Sequence, residues 1–183
     1  MGFPKALLLY RDDTFLDTLV GLFAARCQPV IVVLGSHAGR IREGARRPAT
    51  FVTNADYQRG QTSSMQCGLR AVPPGAESVL FTLVDHPAVA PATLDALLAG
   101  PGPPVRIPRP LLRVPRYQGR RGHPIWFSRE LIAEFLDLPE NGTARDIVRS
   151  HAARTEFLDV DDAGILADID DAAAYGRLTG APL

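Results

Sequence analysis

Two short, almost unbroken apolar runs constrain this chain most: Val30-Ile31-Val32-Val33-Leu34 and Val79-Leu80-Phe81-Thr82-Leu83-Val84. Runs of this length without alternation suit strands buried on both faces. Such strands need helical layers on either side, and the chain supplies them. Thr14–Arg26 carries Phe15, Leu16, Leu19, Val20, Leu22 and Phe23 on one helical stripe, with Asp13 or Thr14 placed to cap it. Thr50–Thr53 reads as a shorter strand, and Ser63–Ala71 as a helix. Pro91–Ala99 is a helix with proline in its first turn and Gly100 as its stop. Gly100–Arg121 is rich in proline and arginine: Val105–Pro108 reads as a strand, and the rest as an irregular, partly antiparallel excursion. Beyond it come a strand at Pro124–Phe127 and helices at Ser128–Leu136 and Thr143–Ala153, the second opened by a capping-box spacing of Thr143 and Asp146. A late strand at Phe157–Val160 and a last helix at Asp170–Leu178 close the chain. This alternation predicts an α/β fold with a mostly parallel sheet covered on both faces, as one domain over residues 1–183.

Composition removes several classes of function. Twenty basic and twenty acidic residues cancel. A neutral chain lacks the basic excess of a general nucleic-acid or membrane-surface binder, but it can still hold a small phosphorylated ligand at a local site. No apolar run approaches the roughly 20 residues of a membrane span, and the short stretch Ala6–Tyr10 runs into Arg11-Asp12-Asp13. The expectation is a cytoplasmic monomer. Cys27 and Cys67 are too few for a disulfide framework. Lys5 is the only lysine beside nineteen arginines. A compact ammonium differs from a planar guanidinium fork, so Lys5 is a candidate for a role that arginine does not fill.

Ligands of open α/β sheets lie beyond the carboxyl ends of the strands. Asp85 falls there, in Val84-Asp85-His86-Pro87, and suits a hard cation such as Mg²⁺ held between carboxylates and phosphates; a helix-capping role is the plainer alternative. Asp168 and Asp170 form a second acidic cluster able to meet Asp85 in space, or else to serve as a solvated loop and cap. Asn54–Leu69 is polar, with Gly60 and Ser63-Ser64 before a helix; it can grip a base or phosphate, or be an ordinary capped loop. No Gly-Lys-Ser/Thr or Gly-x-Gly-x-x-Gly motif is present. His37, His86, His123 and His151 have no paired metal-ligand spacing and read as structural or surface residues.

Taken together, these segments resemble the MobA/MocA-like nucleotidyltransferases, the molybdenum-cofactor cytidylyl- and guanylyltransferase group. Gly2-Phe3-Pro4-Lys5 resembles the second half of the family's phosphate-binding motif. Asn54, Tyr57 and Gly60–Met65 resemble its base-recognition loop. Val84–Pro87 resembles its metal-binding motif. Gly119–Pro124 and Asn141–Arg145 resemble its acceptor-side motifs, and Asp168–Asp170 its closing acidic motif.

The resemblance implies a Rossmann-like, three-layer fold of the nucleotide-diphospho-sugar-transferase type. Residues 1–99 would form the nucleotide half and residues 100–183 the acceptor half. It implies Mg²⁺-dependent transfer of a nucleoside monophosphate from an NTP, CTP first, to a phosphate-bearing acceptor such as molybdopterin. Lys5 and Asp85 would be catalytic, and Asp85 and Asp170 would hold the metal, with Asp168 as the alternative. Lys5, Asn54, Gly60, Gln61 and Ser64 would bind the nucleotide; Arg120, Arg121 and His123 would bind the acceptor. The family's Leu-Ala-Ala-Gly-x-Ser-x-Arg loop and the strand before it have no counterpart upstream of Met1-Gly2. The expectation is either a sheet without that strand or another segment of the chain in its place. A non-catalytic nucleotide- or partner-binding remnant of the same fold is the alternative function.

Overall fold

The computed structural model describes residues 3–100 and 109–180. The expected strand at Val105–Pro108 lies outside them. In chain order the elements are strands β1 (Leu9–Tyr10) and β2 (Asp13–Thr14), helix α1 (Phe15–Ala24), β3 (Ile31–Leu34), α2 (Ala38–Gly44), β4 (Thr50–Thr53) and α3 (Gln61–Arg70). They continue with β5 (Ser78–Phe81), α4 (Pro91–Ala99), β6 (Leu112–Tyr117), β7 (Arg120–Arg121) and β8 (Ile125–Ser128). Helices α5 (Ile132–Leu136) and α6 (Ala144–Ser150), strand β9 (Thr155–Asp159) and helix α7 (Ala172–Thr179) complete them. No described helix is long and apolar enough to cross a membrane.

The strands form a Rossmann-like α/β framework whose main sheet is divided in two, beside a small antiparallel pair of β1 and β2. β3 pairs parallel with β4, Ile31 opposite Thr50 and Leu34 opposite Thr53. The second sheet runs β5-β8-β6-β7, with β9 parallel on β6. Its β5/β8, β8/β6 and β6/β7 pairs are antiparallel, which is where the excursion after Gly100 returns through the sheet. Helix α3 packs on β3 so closely that a Cβ at Gly68 would come within 2.8 Å of Val33. On the other sheet, Phe127 of β8 and Phe135 of α5 are fully buried with ring centroids 4.7 Å apart.

Between β3 and β5 the sheet is interrupted. β3 has its partner on one side only, and so does β5; no described strand lies between them. An apolar cavity of about 400 Å³ occupies the interval, walled by Val32 and Val33 of β3, Leu80 and Phe81 of β5, and Leu16 and Val20 of α1.

Differences from the sequence reading have local causes. The apolar run Val79–Val84 is paired only as far as Phe81. Its partner β8 starts at Ile125, because Pro124 has no N–H to extend the ladder. Strand β6 replaces the irregular segment despite Pro115. That proline stands where β6 passes from pairing with β8, at Leu112 and Arg113, to pairing with β7, at Arg116 and Tyr117. Thr14 caps α1, as its position in the sequence allows: its Oγ accepts the Asp17 N–H at 3.0 Å.

Asp17 itself is fully buried. Its carboxylate accepts from the Thr14 hydroxyl, the Arg46 and Arg47 backbone N–H groups and the Arg46 guanidinium. Burial alone would raise its pKa; the Arg46, Thr14 and Arg47 donors outweigh it and hold the group below its ordinary range. Asp17→Ala strands these donors and is expected to cost about 3 kcal/mol, roughly 10 °C in Tm. In the wild type the folded-state pKa is the depressed one. The contribution is therefore present above the unfolded value of about 4 and lost as pH falls through the folded value. Urea midpoints of both proteins between pH 7 and pH 3 should converge on acidification.

Candidate active site

Lys5 starts a short 3-10 turn, Lys5–Leu7, that follows Pro4. Its ammonium lies 2.5 Å from Asp170 Oδ1 and 3.5 Å from Asp85 Oδ2. Asp85 sits in the turn four residues beyond the end of β5, and its carbonyl accepts the Ile169 N–H at 3.2 Å. That bond brings the acidic segment Asp168–Asp170 beside Asp85, from which it is distant in the chain. The two acidic motifs and the lone lysine therefore form one cluster.

The segment is held there by backbone contact. Asp162 is buried and accepts from Ala90 N, Thr93 Oγ1 and Gly164 N. The His123 N–H donates to the Ile165 carbonyl. A Cβ at Gly122 would lie 2.2 Å from the Ile165 oxygen, and one at Gly164 2.2 Å from the Ala88 oxygen. Both distances are far inside van der Waals contact.

Charge follows from the arrangement. Burial works against the Lys5 ammonium, but its hydrogen bond to Asp170 and the charges of Asp85 and Asp170 raise its pKa above the usual value. The same bond lowers that of Asp170. Asp168 goes the other way: burial, then the carboxylates of Asp85 and Asp170, push it up. Three carboxylates against one ammonium leave the cluster with excess negative charge. Asp85 Oδ1 is buried and has no hydrogen-bond partner. It lies in a group of donors, with a carboxylate oxygen of Asp168 and a ring nitrogen of His86, all within 4.8 Å of one another. That spacing fits a small divalent ion. The expected second ligand Asp170 is turned to Lys5, and Asp168 stands in the donor group with Asp85.

His86 and His123 were both read as structural or surface histidines, and His123 by resemblance as an acceptor ligand. Both come to this cluster, with rings 4.9 Å apart. Burial and the neighbouring His86 push His123 down to about 4, so it is uncharged at neutral pH and offers a phosphate no cation. The signal for His86 was its place directly after Asp85. Arg120 and Arg121 lie on the exposed strand β7, behind a turn with positive φ at Gln118 and Gly119. The Arg121 guanidinium covers the Phe157 ring at 4.4 Å.

The nucleotide-side residues gather at the start of α3. Asn54 is buried; its Nδ2 donates to Ser63 Oγ and Ser64 Oγ, and its Oδ1 accepts the Asp56 N–H. Its side chain thus fixes the loop onto the helix. Gly60, at φ 100°, turns the chain into α3 with open space where a side chain would be. Gln61 and Ser64 reach the cavity between β3 and β5, which also touches Ala6 and Val84, the chain neighbours of Lys5 and Asp85.

A Rossmann-like sheet with a carboxylate cluster beyond a strand end suits a nucleotidyltransferase, and that is the class the family match gives. The chain belongs to the MobA-like NTP transferase domain family, whose model matches residues 1–155. It is similar to the crystal structure of Rv0371c from Mycobacterium tuberculosis H37Rv, at 30% identity and TM-score 0.80, covering 99% of this chain and 91% of that one. A complex of Rv0371c with manganese aligns at 30% identity and TM-score 0.77, covering 98% and 94%. A nucleotidyl transferase from Methanothermobacter thermautotroptrophicus, Mth528, shares the fold at 22% identity and TM-score 0.79, covering 96% and 83%. No curated protein matches the chain significantly.

Proposed function

We propose that this chain moves a nucleoside monophosphate, CMP by preference, from an NTP to a phosphate-bearing acceptor such as molybdopterin. The observation that carries the reading is the cluster of Lys5, Asp85, Asp168 and Asp170 beyond the end of β5. An acceptor phosphate oxygen attacks the α-phosphorus, the bond to the bridging oxygen breaks, and pyrophosphate leaves with that electron pair. The acceptor is already an anion, so no protein base is required. Positioning and charge neutralisation do the work.

Lys5, kept protonated by its carboxylate neighbours, is placed to shift from Asp170 to a phosphate oxygen. Asp85 would hold the divalent ion together with Asp168 or Asp170; when bound, the ion neutralises the phosphates. The manganese complex of Rv0371c supports a divalent-ion site, and Mg²⁺ is the ion the resemblance implies. Gln61 and Ser64 would face the base and ribose from the start of α3, and Asn54 and Gly60 would set that loop. Arg120 and Arg121 are the candidates for the acceptor's phosphate. The preference for CTP rests on the likeness of Gly60–Met65 to the cytidylyl-type loop. Pyrophosphate release from the four NTPs tests it: CTP should be the fastest, and a GTP preference would overturn that choice.

A further inference from the structure

We infer that His86 is itself a ligand of the divalent ion, completing with Asp85 and Asp168 a mixed nitrogen–oxygen site that favours Mn²⁺ over Mg²⁺. The inference rests on the metal-dependent reading above and concerns which donors hold the ion. His86 is only 5% exposed. Its Nε2 lies 3.9 Å from Asp85 Oδ1, too far for a hydrogen bond. Its Nδ1 is buried without a partner, as is Asp85 Oδ1. Buried polar atoms are nearly always paired, and the orphaned Asp85 Oδ1, 3.9 Å from His86 Nε2, calls for a partner.

An ion is the partner that suits Asp85 Oδ1 and His86 Nε2 together. Donors sharing one small divalent ion lie between about 3 Å and about 4.3 Å apart, adjacent or opposite. The 3.9 Å from nitrogen to oxygen falls inside that range, and the Asp168 carboxylate completes the group. The imidazole is also fixed in place. The His123 ring lies against it at 4.9 Å, Pro87 beside it is fully buried, and its backbone N–H donates to Leu83. Asp170, by contrast, is engaged by Lys5 at 2.5 Å. Mg²⁺ prefers oxygen donors and its own waters, so one imidazole in the set moves selectivity towards ions that accept nitrogen. Three protein donors leave the remaining positions for phosphate oxygens and water.

The test is a titration of the full chain with MnCl₂, followed by electron paramagnetic resonance, with echo modulation to detect nitrogen at the ion. The expected result is one tight site with ¹⁴N coupling that changes when the histidines are ¹⁵N-labelled. His86→Gln should lose the coupling and weaken Mn²⁺ binding about tenfold or more, with Mg²⁺ competition changed less. His123→Phe should keep the coupling. Mn²⁺ binding without histidine nitrogen coupling in the labelled wild type overturns the assignment, whether or not His86→Gln folds. Coupling that persists in folded His86→Gln overturns it too. No Mn²⁺ or Mg²⁺ binding at all overturns the metal reading together with it.

Discussion

Asp85→Ala is expected to lower metal-dependent nucleotidyl transfer about a thousandfold or more while the chain stays folded. The carboxylate stands in a turn beyond β5, and its contact with Lys5 is a long 3.5 Å. Removing it therefore costs little stability, as for other partly exposed ion pairs. It also removes the orphaned oxygen on which the metal group is centred. An ion stabilising phosphoryl charge is worth several kcal/mol at the transition state, and each 1.36 kcal/mol is about a factor of ten. Pyrophosphate release and a thermal melt, run on both proteins, read the two halves of the prediction. Unchanged turnover would show that Asp85 does not carry the ion.

A second large effect is expected from filling the interval between β3 and β5. Joining about 15–20 residues ahead of Met1, an apolar strand of five or six residues and its return loop, should place a strand between the two free edges. Four or five inward side chains at roughly 1.5–3 kcal/mol each give about 10 kcal/mol of burial. Ordering the five or six strand residues, at about 1.5 kcal/mol each, opposes most of that, with the return loop staying mobile. A net gain of a few kcal/mol remains once ladder hydrogen bonds on both sides are included, a rise of about 10 °C in Tm. The extended chain should gain further stability with Mg²⁺ and CTP, more than the shorter one does. Equal melting of the two chains, with equal response to CTP, would show that the cavity does not receive a strand.

The sequence spoke clearly where burial leaves a periodic trace. The strand at Val30–Leu34, the stripe from Phe15 to Phe23 and the caps at Thr14, Ser128 and Thr143 were all legible, because each is set by neighbours a few residues away. Strand β6 was not. Proline inside a strand is ordinarily a breaker, and only the change of partner at Pro115 accommodates it. Helix α2 has a single buried residue, Ile41, and so almost no stripe. At the site, Asp85, Asp170 and Lys5 were recognisable by motif. The gathering of His86 and His123 was not, since Phe81, Ile165 and Ile169 bring those segments together from distant parts of the chain. Nor does spacing along the chain tell Asp168 from Asp170.

Gly122 and Gly164 carry no functional group, yet the main chain passes there with no room for a methyl group, each Cβ falling 2.2 Å from a carbonyl oxygen. A side chain at either would lever the closing acidic segment away from Asp85, which it meets through a single 3.2 Å backbone bond. These two positions are thus as unforgiving as the ligands themselves. A redesign that left every charged group in place but granted either of them an alanine would keep the alphabet of the site and lose its spelling.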